Sequence, residues 1–570
     1  MVKPILPRSW RSSATMAPFR SRIFTAIWTA SLVSNFGSLI QTVGASWLMT
    51  SIAPSADMVA LVQASTTLPI MLLSLPAGAT ADIWDRRLVM IIAQALMLVV
   101  AALLTTLAYL GYVTPWMLLW LTFLIGCGTA LYGPAWQSSV GEQVPRSELP
   151  AAVALNSVAF NLARTAGPAI GGIIVAQAGP PAAFLANGVS YVALILVLIM
   201  WRRPRAVPFL PPENMLMAMG AGVRYARLSP RVRTVLLRGL TFGLLGSSIW
   251  ALMPLIARDL IGGNAITYGV LLGAFGSGAV VGALGSTALR RRYSNERIVA
   301  GGTLAFGCGT LVTALSSWHA PSMLALVLSG AAWVLVLSTF NVTIQTSSPR
   351  WVVGRTVAIY QMVTFGGLAI GSWLSGLLAA GFGLRTALLG SGIGMVLSAL
   401  LGRRWPLLQP EGLNLDPSRT WSGESREQLA QLLDTGPVIV TVEYHIAAPD
   451  FEPFRLAMRE LRRIRRRDGA KRWSLMQDMA ATEIWIERYH SPNWIEHLRR
   501  QHRFTVADQE IERRVLAFHQ GPGAPRVRHL IERRPDEDLA ARSAATDPHL
   551  PPESSAPNSG TASGTALPGR

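Results

Sequence analysis

Long apolar segments separated by short polar breaks occupy most of the chain between residues 23 and 402. Because a transmembrane helix needs about 20 apolar residues, each segment is long enough to cross a bilayer. The pattern predicts twelve transmembrane helices, at residues 23–48, 56–80, 88–110, 115–141, 152–177, 181–201, 234–257, 267–289, 297–317, 321–345, 354–380 and 383–402.

A different pattern begins after residue 402. Residues 403–436 form a proline-containing linker, residues 437–533 read as a small α/β domain, and residues 534–570 lack periodicity. The predicted strands and helices of the α/β domain are strands 438–444, 473–477, 484–489 and 527–531 and helices 451–467, 494–500 and 506–518. The last segment is rich in Ala, Ser, Pro and Gly, and is predicted to be disordered.

Positively charged residues are concentrated in alternate loops. The loops on one side contain most of the arginines, whereas those on the other side contain only Arg258 and Arg385. By the positive-inside rule, the arginine-rich loops, both termini and the α/β domain are predicted to be cytoplasmic, in a bacterial-type inner (cell) membrane. This topology accounts for the net charge of +19, so no nucleic-acid partner is expected.

The predicted helices divide into two six-helix bundles, residues 23–201 and 234–402. They follow a cytoplasmic N-terminal segment, residues 1–22, and are joined by a cytoplasmic loop, residues 202–233. Residues 213–228 of this loop fit either an interfacial amphipathic helix or an ordinary connecting helix.

The two bundles are related in sequence. At an offset of 204 residues, Gly78 aligns with Gly282 and Arg86 aligns with Arg290. Further pairs at this offset are Arg87 and Arg291, Pro145 and Pro349, Arg146 and Arg350, Gly167 and Gly371, and Gly172 and Gly376. Parallel halves of this kind characterise the major facilitator fold.

The loop after the second predicted helix carries a candidate gating motif, formed by Gly78, Asp82, Arg86 and Arg87. It resembles the signature loop of the major facilitator superfamily, which implies that Asp82 pairs with a neighbouring Arg or helix N-terminus to close a cytoplasmic gate. The sequence departs from the family pattern at Ile83 and Asp85, and the second bundle has Ser286 in place of Asp82. A positively charged loop without a gating role is the alternative.

The fifth predicted helix contains Arg164 followed by the motif Gly167, Pro168, Gly171 and Gly172. The motif resembles one found in facilitator-type antiporters and exporters, although its small residues also suit simple close packing. Arg164 lies about 18 Å along the helix from Ala152. A cation at that depth is expected to face a water-filled cavity and to pair with an anionic substrate or with helix carbonyls.

Other polar and aromatic residues are predicted to lie at the depth of a substrate cavity. They are Asn35, Gln41, Trp136, Gln137, Asn161, Trp250, Asn341, Tyr360 and Gln361. Contacts between helices, or a position at the membrane interface, are alternative roles for each of them.

No Asp or Glu lies near the middle of a predicted transmembrane helix. Proton coupling usually requires a titratable group inside the membrane, so coupling to a proton gradient is implied only by the superfamily resemblance. The chain has two lysines, Lys3 and Lys471. Neither lies in a phosphate-binding loop motif, which excludes an ATP-driven pump of the ABC class. No metal site and no cofactor are expected.

The C-terminal region carries the most specific resemblance. Residues 465–470, Trp473, Asp478, Glu487 and 494–505, together with the predicted helices, are similar to the transmembrane secretion effector branch of the superfamily, which includes the enterobactin exporter. The region itself resembles the ferredoxin-like domain of antibiotic-biosynthesis monooxygenases. The resemblance implies a regulatory module or self-association through this domain. His497 and His502 are five residues apart, which suits a helical metal site poorly.

These observations favour a fold class with an all-α polytopic membrane part, a major facilitator fold of twelve helices in two six-helix halves, and a small cytoplasmic ferredoxin-like α/β domain. The expected function is export of a siderophore or drug-like small molecule by a proton-coupled secondary transporter without enzymatic activity. Two alternatives stay open: an importer of the same fold, and a membrane-anchored enzyme or sensor that acts through residues 437–533.

Overall fold

The computed structural model describes residues 14–201, 215–349, 351–407, 414–415, 418 and 437–532. The chain divides into two compact units. The first comprises Met1–Arg419, Arg459–Asp468 and Arg503–Arg513, and the second comprises Thr420–Met458, Gly469–His502 and Arg514–Arg570. Residues 1–13 of the predicted N-terminal segment, most of the predicted linker and the predicted disordered tail lie outside the described residues.

The first unit contains the long apolar helices. Within the described ranges, eleven helices are long and apolar enough to cross a membrane. With the connecting helix α6 and the short α13, the series is α1 Arg22–Ile52, α2 Ala56–Ile83, α3 Arg86–Tyr109, α4 Pro115–Gln143, α5 Leu149–Met200, α6 Met215–Leu228, α7 Pro230–Leu255, α8 Ala265–Arg292, α9 Asn295–Leu315, α10 His319–Thr346, α11 Val353–Phe382, α12 Leu384–Ser398 and α13 Leu401–Arg404.

Helix α5 covers two predicted transmembrane helices and is broken between them. It has 52 residues, with Gly179 at φ 75° and ψ 171° inside it. A straight helix of this length would measure about 78 Å, more than twice the thickness of a bilayer core. The backbone of Gly179 lies where residues with a Cβ are strained, and Pro180 and Pro181 follow directly, so the chain leaves the helical path at this point.

Helix α1 shows that the chain reverses at this break. It packs against both parts of α5. As residue numbers increase along α1, the numbers of the contacting α5 residues increase before Gly179 and decrease after it. The pairs in contact are Leu39 with Gly167, Val43 with Gly171, Gly44 with Ala183, and Gly37 with Ser190. The two parts of α5 therefore run antiparallel to each other.

The second bundle has a matching break between α11 and α12. Gly383 separates the two helices with φ 88° and ψ 156°, and it follows Gly179 by the same offset of 204 residues. The short break predicted at residues 380–383, between helices 354–380 and 383–402, is therefore a real change of direction. The related halves share this device as well as their loop motifs.

The second unit contains a four-stranded sheet, with strands β1 Val438–His445, β2 Lys471–Gln477, β3 Ile484–Ser491 and β4 Arg526–Ile531. Their order is β2-β3-β1-β4, with every neighbouring pair antiparallel. Burial alternates along β1, as the sequence pattern predicts. The helices between the strands in chain order are α14 Phe451–Asp468, α15 Trp494–Arg503 and α16 Val506–Leu516.

Candidate substrate cavity

A cavity of about 970 Å³ lies between the two halves of the bundle. Its walls come from α1, α2, α4 and α5 of the first half and from α7, α8, α10 and α11 of the second half. The volume is at the upper end of the range found for small-molecule sites, and is large enough for a drug-sized ligand.

Six of the nine predicted cavity residues line this space, namely Gln41, Gln137, Trp250, Asn341, Tyr360 and Gln361. Arg164 and Pro168 of the fifth predicted helix line it as well. Asn35, Trp136 and Asn161 are not among the lining residues. Trp136 stacks on Tyr132 with ring centroids 5.9 Å apart, and the Asn161 amide donates to the Ser157 carbonyl at 2.8 Å. These two residues make contacts within the first half instead.

Arg164 lies in the cavity wall and faces aromatic rings of the opposite half. Its guanidinium carbon is 5.6 Å from the ring centroid of Trp250 and 5.9 Å from that of Phe275. Helix α5 approaches α8 closely here, since a Cβ at Gly276 would lie 2.6 Å from the Arg164 carbonyl oxygen. Arg164 is the one charged side chain among the described residues that line the cavity.

Several lining residues were not predicted from the sequence. The aromatic side chains of Trp333 and Phe275 face the cavity, although their surroundings in the sequence are as apolar as those of lipid-facing positions. Asn187 also lines the cavity and donates hydrogen bonds to the side chains of Gln41 and Tyr191. Asn187 is the one amide side chain in residues 180–200 of α5, a signal that could have identified it.

The glycines of the motif in the fifth predicted helix bring helices together around the cavity. Gly167 and Gly171 pack against α1, as described above. A Cβ at Gly172 would lie 2.7 Å from the Ala265 carbonyl oxygen and 3.1 Å from Gly269 Cα, both in α8. The motif therefore packs helices closely, within one half and across the two halves.

The two halves touch at the end of the bundle opposite the arginine-rich loops, called here the arginine-poor end. The Arg258 guanidinium of the second half donates to the Thr50 carbonyl of α1 at 2.6 Å. Trp47 stacks on Tyr268 with ring centroids 6.4 Å apart. With the contact at Gly172, these interactions hold the halves together at this end.

The cavity extends toward the opposite, arginine-rich end. Ser157 and Phe160 of α5 and Val342 of α10 line it there. Phe160 and Val342 are exposed by 51% and 38% of their surface. A cavity that reaches exposed residues at one end and is covered by packed helices at the other is accessible from one side of the bundle.

A family model described as "Transmembrane secretion effector" matches residues 13–536. This match covers most of the chain, including both bundles and the sheet. The protein belongs to the transmembrane secretion effector family. Since this is a family of major facilitator transporters, the cavity between the halves is a transporter's cavity.

Known relatives of this family member are membrane transporters. The chain is 24% identical over 392 residues to the "Multidrug efflux pump Tap" of Mycobacterium tuberculosis, covering 67% of this chain and 92% of the relative. It is 27% identical to the pump of the same name from Mycolicibacterium fortuitum, covering 68% and 97%. It is also 25% identical to the "Staphyloferrin A transporter" of Staphylococcus aureus, covering 45% and 65%.

Solved structures show the same fold. A bacterial homolog of the human lysosomal transporter Spinster, in an inward-facing and unoccupied conformation, superposes with a TM-score of 0.54 at 13% identity, covering 68% of this chain and 98% of the homolog. The nucleoside transporter NupG superposes with a TM-score of 0.52 at 13% identity, covering 68% and 100%.

In this secretion effector family member, both arginines of the predicted gating motif pair with groups of the first half. Arg86 forms an ion pair with Glu142 at the end of α4, with the closest atoms 2.6 Å apart. Arg87 donates to the carbonyl oxygens of Leu198, at 2.8 Å, and Ile199, at 2.6 Å. The basic pair thus ties α3 to α4 and to the end of α5.

The remaining motif residues are less informative. The side chain of Asp82 lies outside the described residues. Gly78 has open space where a Cβ would be, so close packing does not account for it. In the second half, Arg290 donates to the Ser338 hydroxyl of α10 at 2.8 Å, and Ser286 donates to the Ala283 carbonyl of its own helix at 2.7 Å.

The second unit holds a buried polar cluster. Glu487 is fully buried and accepts hydrogen bonds from the Trp473 indole at 2.8 Å and the Tyr444 hydroxyl at 3.2 Å. Both ring nitrogens of His497 lie 3.0 Å from side-chain nitrogens of the same helix. Burial, followed by the charge of nearby Arg500, lowers the pKa of His529. The contacts of Glu487 and His497 thus provide hydrogen-bond partners for polar groups buried inside the domain.

Proposed function

We propose that the protein exports an amphiphilic small molecule by alternating access, with the substrate bound between the halves. The observation that carries this proposal is the cavity at the interface of two related bundles, closed at one end by contacts between the halves. The reversal of the chain at Gly179 divides α5 into two spans, which supports twelve crossings in place of eleven.

The distribution of arginines supports an orientation with both termini in the cytoplasm of a bacterial-type cell. In that orientation, the accessible end of the cavity faces the cytoplasm. An exporter would load its substrate in this conformation, and release would require the arginine-poor end to open.

The cargo is proposed to be a siderophore or drug-like molecule. Relatives named as a multidrug efflux pump and a staphyloferrin A transporter support this class. The large cavity, which combines aromatic with polar side chains, suits such molecules better than a small ion or a single sugar.

We further propose that transport is coupled to a proton gradient. Since the described cavity lining lacks carboxylates, the candidate proton-binding groups are Glu142, paired with Arg86, and Glu296, paired with buried Arg238. Protonation of either carboxylate would weaken its ion pair, and so would change the packing of helices at the arginine-rich end.

The transport hypothesis is tested by loading cells with labelled siderophores and drugs. Cells that express the protein are expected to lose one or more compounds faster than cells without it, and an uncoupler should abolish the difference. Expression of the Arg164→Gln variant at equal membrane abundance provides a cavity control. Equal retention of every compound with and without the protein would contradict export.

The C-terminal domain is proposed to be a ferredoxin-like accessory module of the monooxygenase type. Its strand order β2-β3-β1-β4 and its βαββ start support this assignment. Strand β4 is exposed along its whole length and carries Val527, Leu530 and Ile531, which supports self-association with a second copy through this strand.

Deletion of residues 437–532 separates the accessory role from the rival enzyme hypothesis. Transport is expected to persist in the truncated protein. Loss of self-association by cross-linking in the membrane would support the role proposed for β4. The enzyme hypothesis holds if the full protein transports no compound and turns over a substrate that the truncated protein does not.

A further inference from the structure

The cavity walls contributed by the two halves differ in chemistry. The first-half wall is dominated by hydroxyl and amide groups, from Ser38, Gln41, Thr42, Ser46, Gln63, Thr66, Thr67, Thr122, Thr129, Gln137, Ser157 and Asn187. The second-half wall is dominated by rings, from Trp250, Tyr268, Phe275, Trp333, Tyr360 and Phe365. The two amide side chains of the second-half wall, Asn341 and Gln361, lie nearer the arginine-rich end of the cavity. A polar wall thus faces an aromatic wall.

The rings of the second half form one continuous surface. The centroids of Trp250 and Phe275 are 4.8 Å apart, those of Trp250 and Trp333 are 6.0 Å apart, and those of Phe275 and Trp333 are 6.4 Å apart. Such a cluster offers a flat body of a ligand both apolar contact and ring stacking.

Arg164 lies where the two walls meet. Its guanidinium belongs to the first half, yet it is oriented by Trp250 and Phe275 of the second half. A cation over a ring face keeps the N–H groups at its edge available to an acceptor. No described residue forms a hydrogen bond or ion pair with these groups.

A second donor lies beside Arg164 without an acceptor. The indole nitrogen of Trp250 is buried and has no hydrogen-bond partner among the described residues. Indole can only donate a hydrogen bond. The charged Arg164 guanidinium and the unpartnered Trp250 indole belong to side chains that line the same cavity, and together they point to a ligand that supplies an acceptor with negative charge.

The charge balance of the cavity leads to the same ligand class. A cation inside the membrane is costly unless an opposite charge or strong acceptors accompany it. Among the described lining residues no Asp or Glu supplies that charge. A cationic ligand would add repulsion to this cost, whereas an anionic ligand would remove the cost.

We propose that the cavity binds amphiphilic organic anions in one orientation. The acidic group of the ligand accepts hydrogen bonds from the Arg164 guanidinium and the Trp250 indole, and its aromatic or apolar body lies on Phe275 and Trp333. This inference names the substrate class of the site, and so it rests on the proposed transport function.

The test compares two dyes that share a xanthene skeleton and differ in charge. Fluorescein carries a carboxylate and is anionic at pH 7.5 or above, whereas rhodamine 6G carries an ester and is cationic. Binding to the purified full chain in detergent is measured by fluorescence polarisation. Fluorescein is expected to bind about tenfold or more tightly than rhodamine 6G, because one charge-assisted hydrogen bond changes affinity by at least this factor.

Substitutions test whether Arg164 and Trp250 cause the difference in affinity between the two dyes. Arg164→Gln is expected to weaken fluorescein binding by about tenfold or more and to leave rhodamine 6G binding unchanged or improved. Arg164→Lys should recover part of the loss because it restores the charge without the planar fork. Trp250→Phe keeps a ring but removes the N–H group, and should weaken fluorescein binding several-fold. Arg385→Gln is the matched control, since exposed Arg385 bonds to Ser317 at the arginine-poor end.

Each outcome decides the inference. Equal binding of the two dyes, preference for rhodamine 6G, binding of neither dye, or unchanged fluorescein binding in a correctly folded Arg164→Gln variant would overturn it. Failure of the transport proposal is distinguishable, because uptake into inside-out vesicles is measured separately. Charge-selective binding without uptake of any compound would refute transport alone, and uptake of rhodamine 6G without charge selectivity would refute the anion class alone.

Discussion

The two halves of the bundle share a backbone plan. Gly172 and Gly376, related by the offset of 204 residues, each bring a helix against the opposite half at the arginine-poor end. Gly179 and Gly383 each reverse the chain at that end with a positive φ. The repeat has therefore kept the residues that set helix approach and chain direction.

Most of the paired cavity positions of the two halves have diverged. Six pairs at the offset of 204 residues have both members in the cavity lining, and four of them differ in polarity or ring content. These four are Arg164 and Leu368, Ser46 and Trp250, Thr129 and Trp333, and Phe160 and Thr364, whereas Gln137 and Asn341 are both amides and Ser157 and Gln361 are both polar. The comparison teaches that the packing glycines have been retained in both copies, while most of the paired cavity positions have acquired different side chains.

The largest expected effect comes from the shared glycines. A Cβ at Gly172 would lie 2.7 Å from the Ala265 carbonyl oxygen, and one at Gly376 would lie 2.9 Å from Asp57 Cα. Because backbone atoms cannot move aside cheaply, Gly172→Ala and Gly376→Ala should each destabilise the closed arginine-poor end by about 1–3 kcal/mol. Labelling of a Gln63→Cys variant, in a background without Cys127 and Cys308, by an impermeant maleimide from that side should rise about tenfold.

The control for this prediction is Gly301→Ala, since nothing lies within 4 Å of a Cβ placed there. Transport by both test variants should fall by similar factors, and the control should match the unsubstituted protein. A rise in labelling for only one of the two variants would break the symmetry argued here.

A smaller effect is expected at the arginine-rich end, where the halves differ. Arg86 meets a carboxylate, Glu142, whereas Arg290 meets a hydroxyl, Ser338. The Arg86 and Glu142 side chains are 24% and 19% exposed, so their attraction is only partly screened. Arg86→Gln should therefore lower the free energy of unfolding by about 1 kcal/mol more than Arg290→Gln does, measured by thermal melting in detergent.

A double-mutant cycle isolates the ion pair in this prediction. Glu142→Gln alone should resemble Arg86→Gln, and the double variant should be little worse than either single one. Equal destabilisation by Arg86→Gln and Arg290→Gln would show that the arginine-rich end of both halves depends on packing alone.

The sequence predicted helix positions well and cavity positions only partly, for one physical reason. Length and charge locate a membrane helix, so even the short break at Gly383 was identified. The rotation of each helix about its axis is harder to predict, because lipid-facing and core-facing residues are equally apolar and the usual periodicity is weak. Gln41 and Gln137 face the cavity, whereas Asn35 and Trp136 do not.

Part of the aromatic wall was missed for the same reason, although Trp250 and Tyr360 were predicted. Trp333 and Phe275 lie among apolar residues, and only the packing of α7, α8 and α10 places their rings together. In the α/β domain, by contrast, burial alternates along β1 and along most of β3. The boundaries predicted from the sequence for all four strands lie within two residues of those found.

The smallest expected effect concerns Arg258. Its contact across the halves has no equivalent from the first half, because the residue 204 positions earlier is Pro54. Arg258 donates to the Thr50 carbonyl across the halves, but it is 43% exposed and also pairs with Asp259. Arg258→Gln should therefore loosen the arginine-poor end by no more than about 1 kcal/mol. Maleimide labelling of Gln63→Cys should rise only a few-fold, and Arg258→Lys should restore part of the closure. If Arg258→Gln raised labelling as much as Gly172→Ala does, closure would depend on this single contact more than on the symmetric glycines, and the shared backbone plan would not be what holds the halves together.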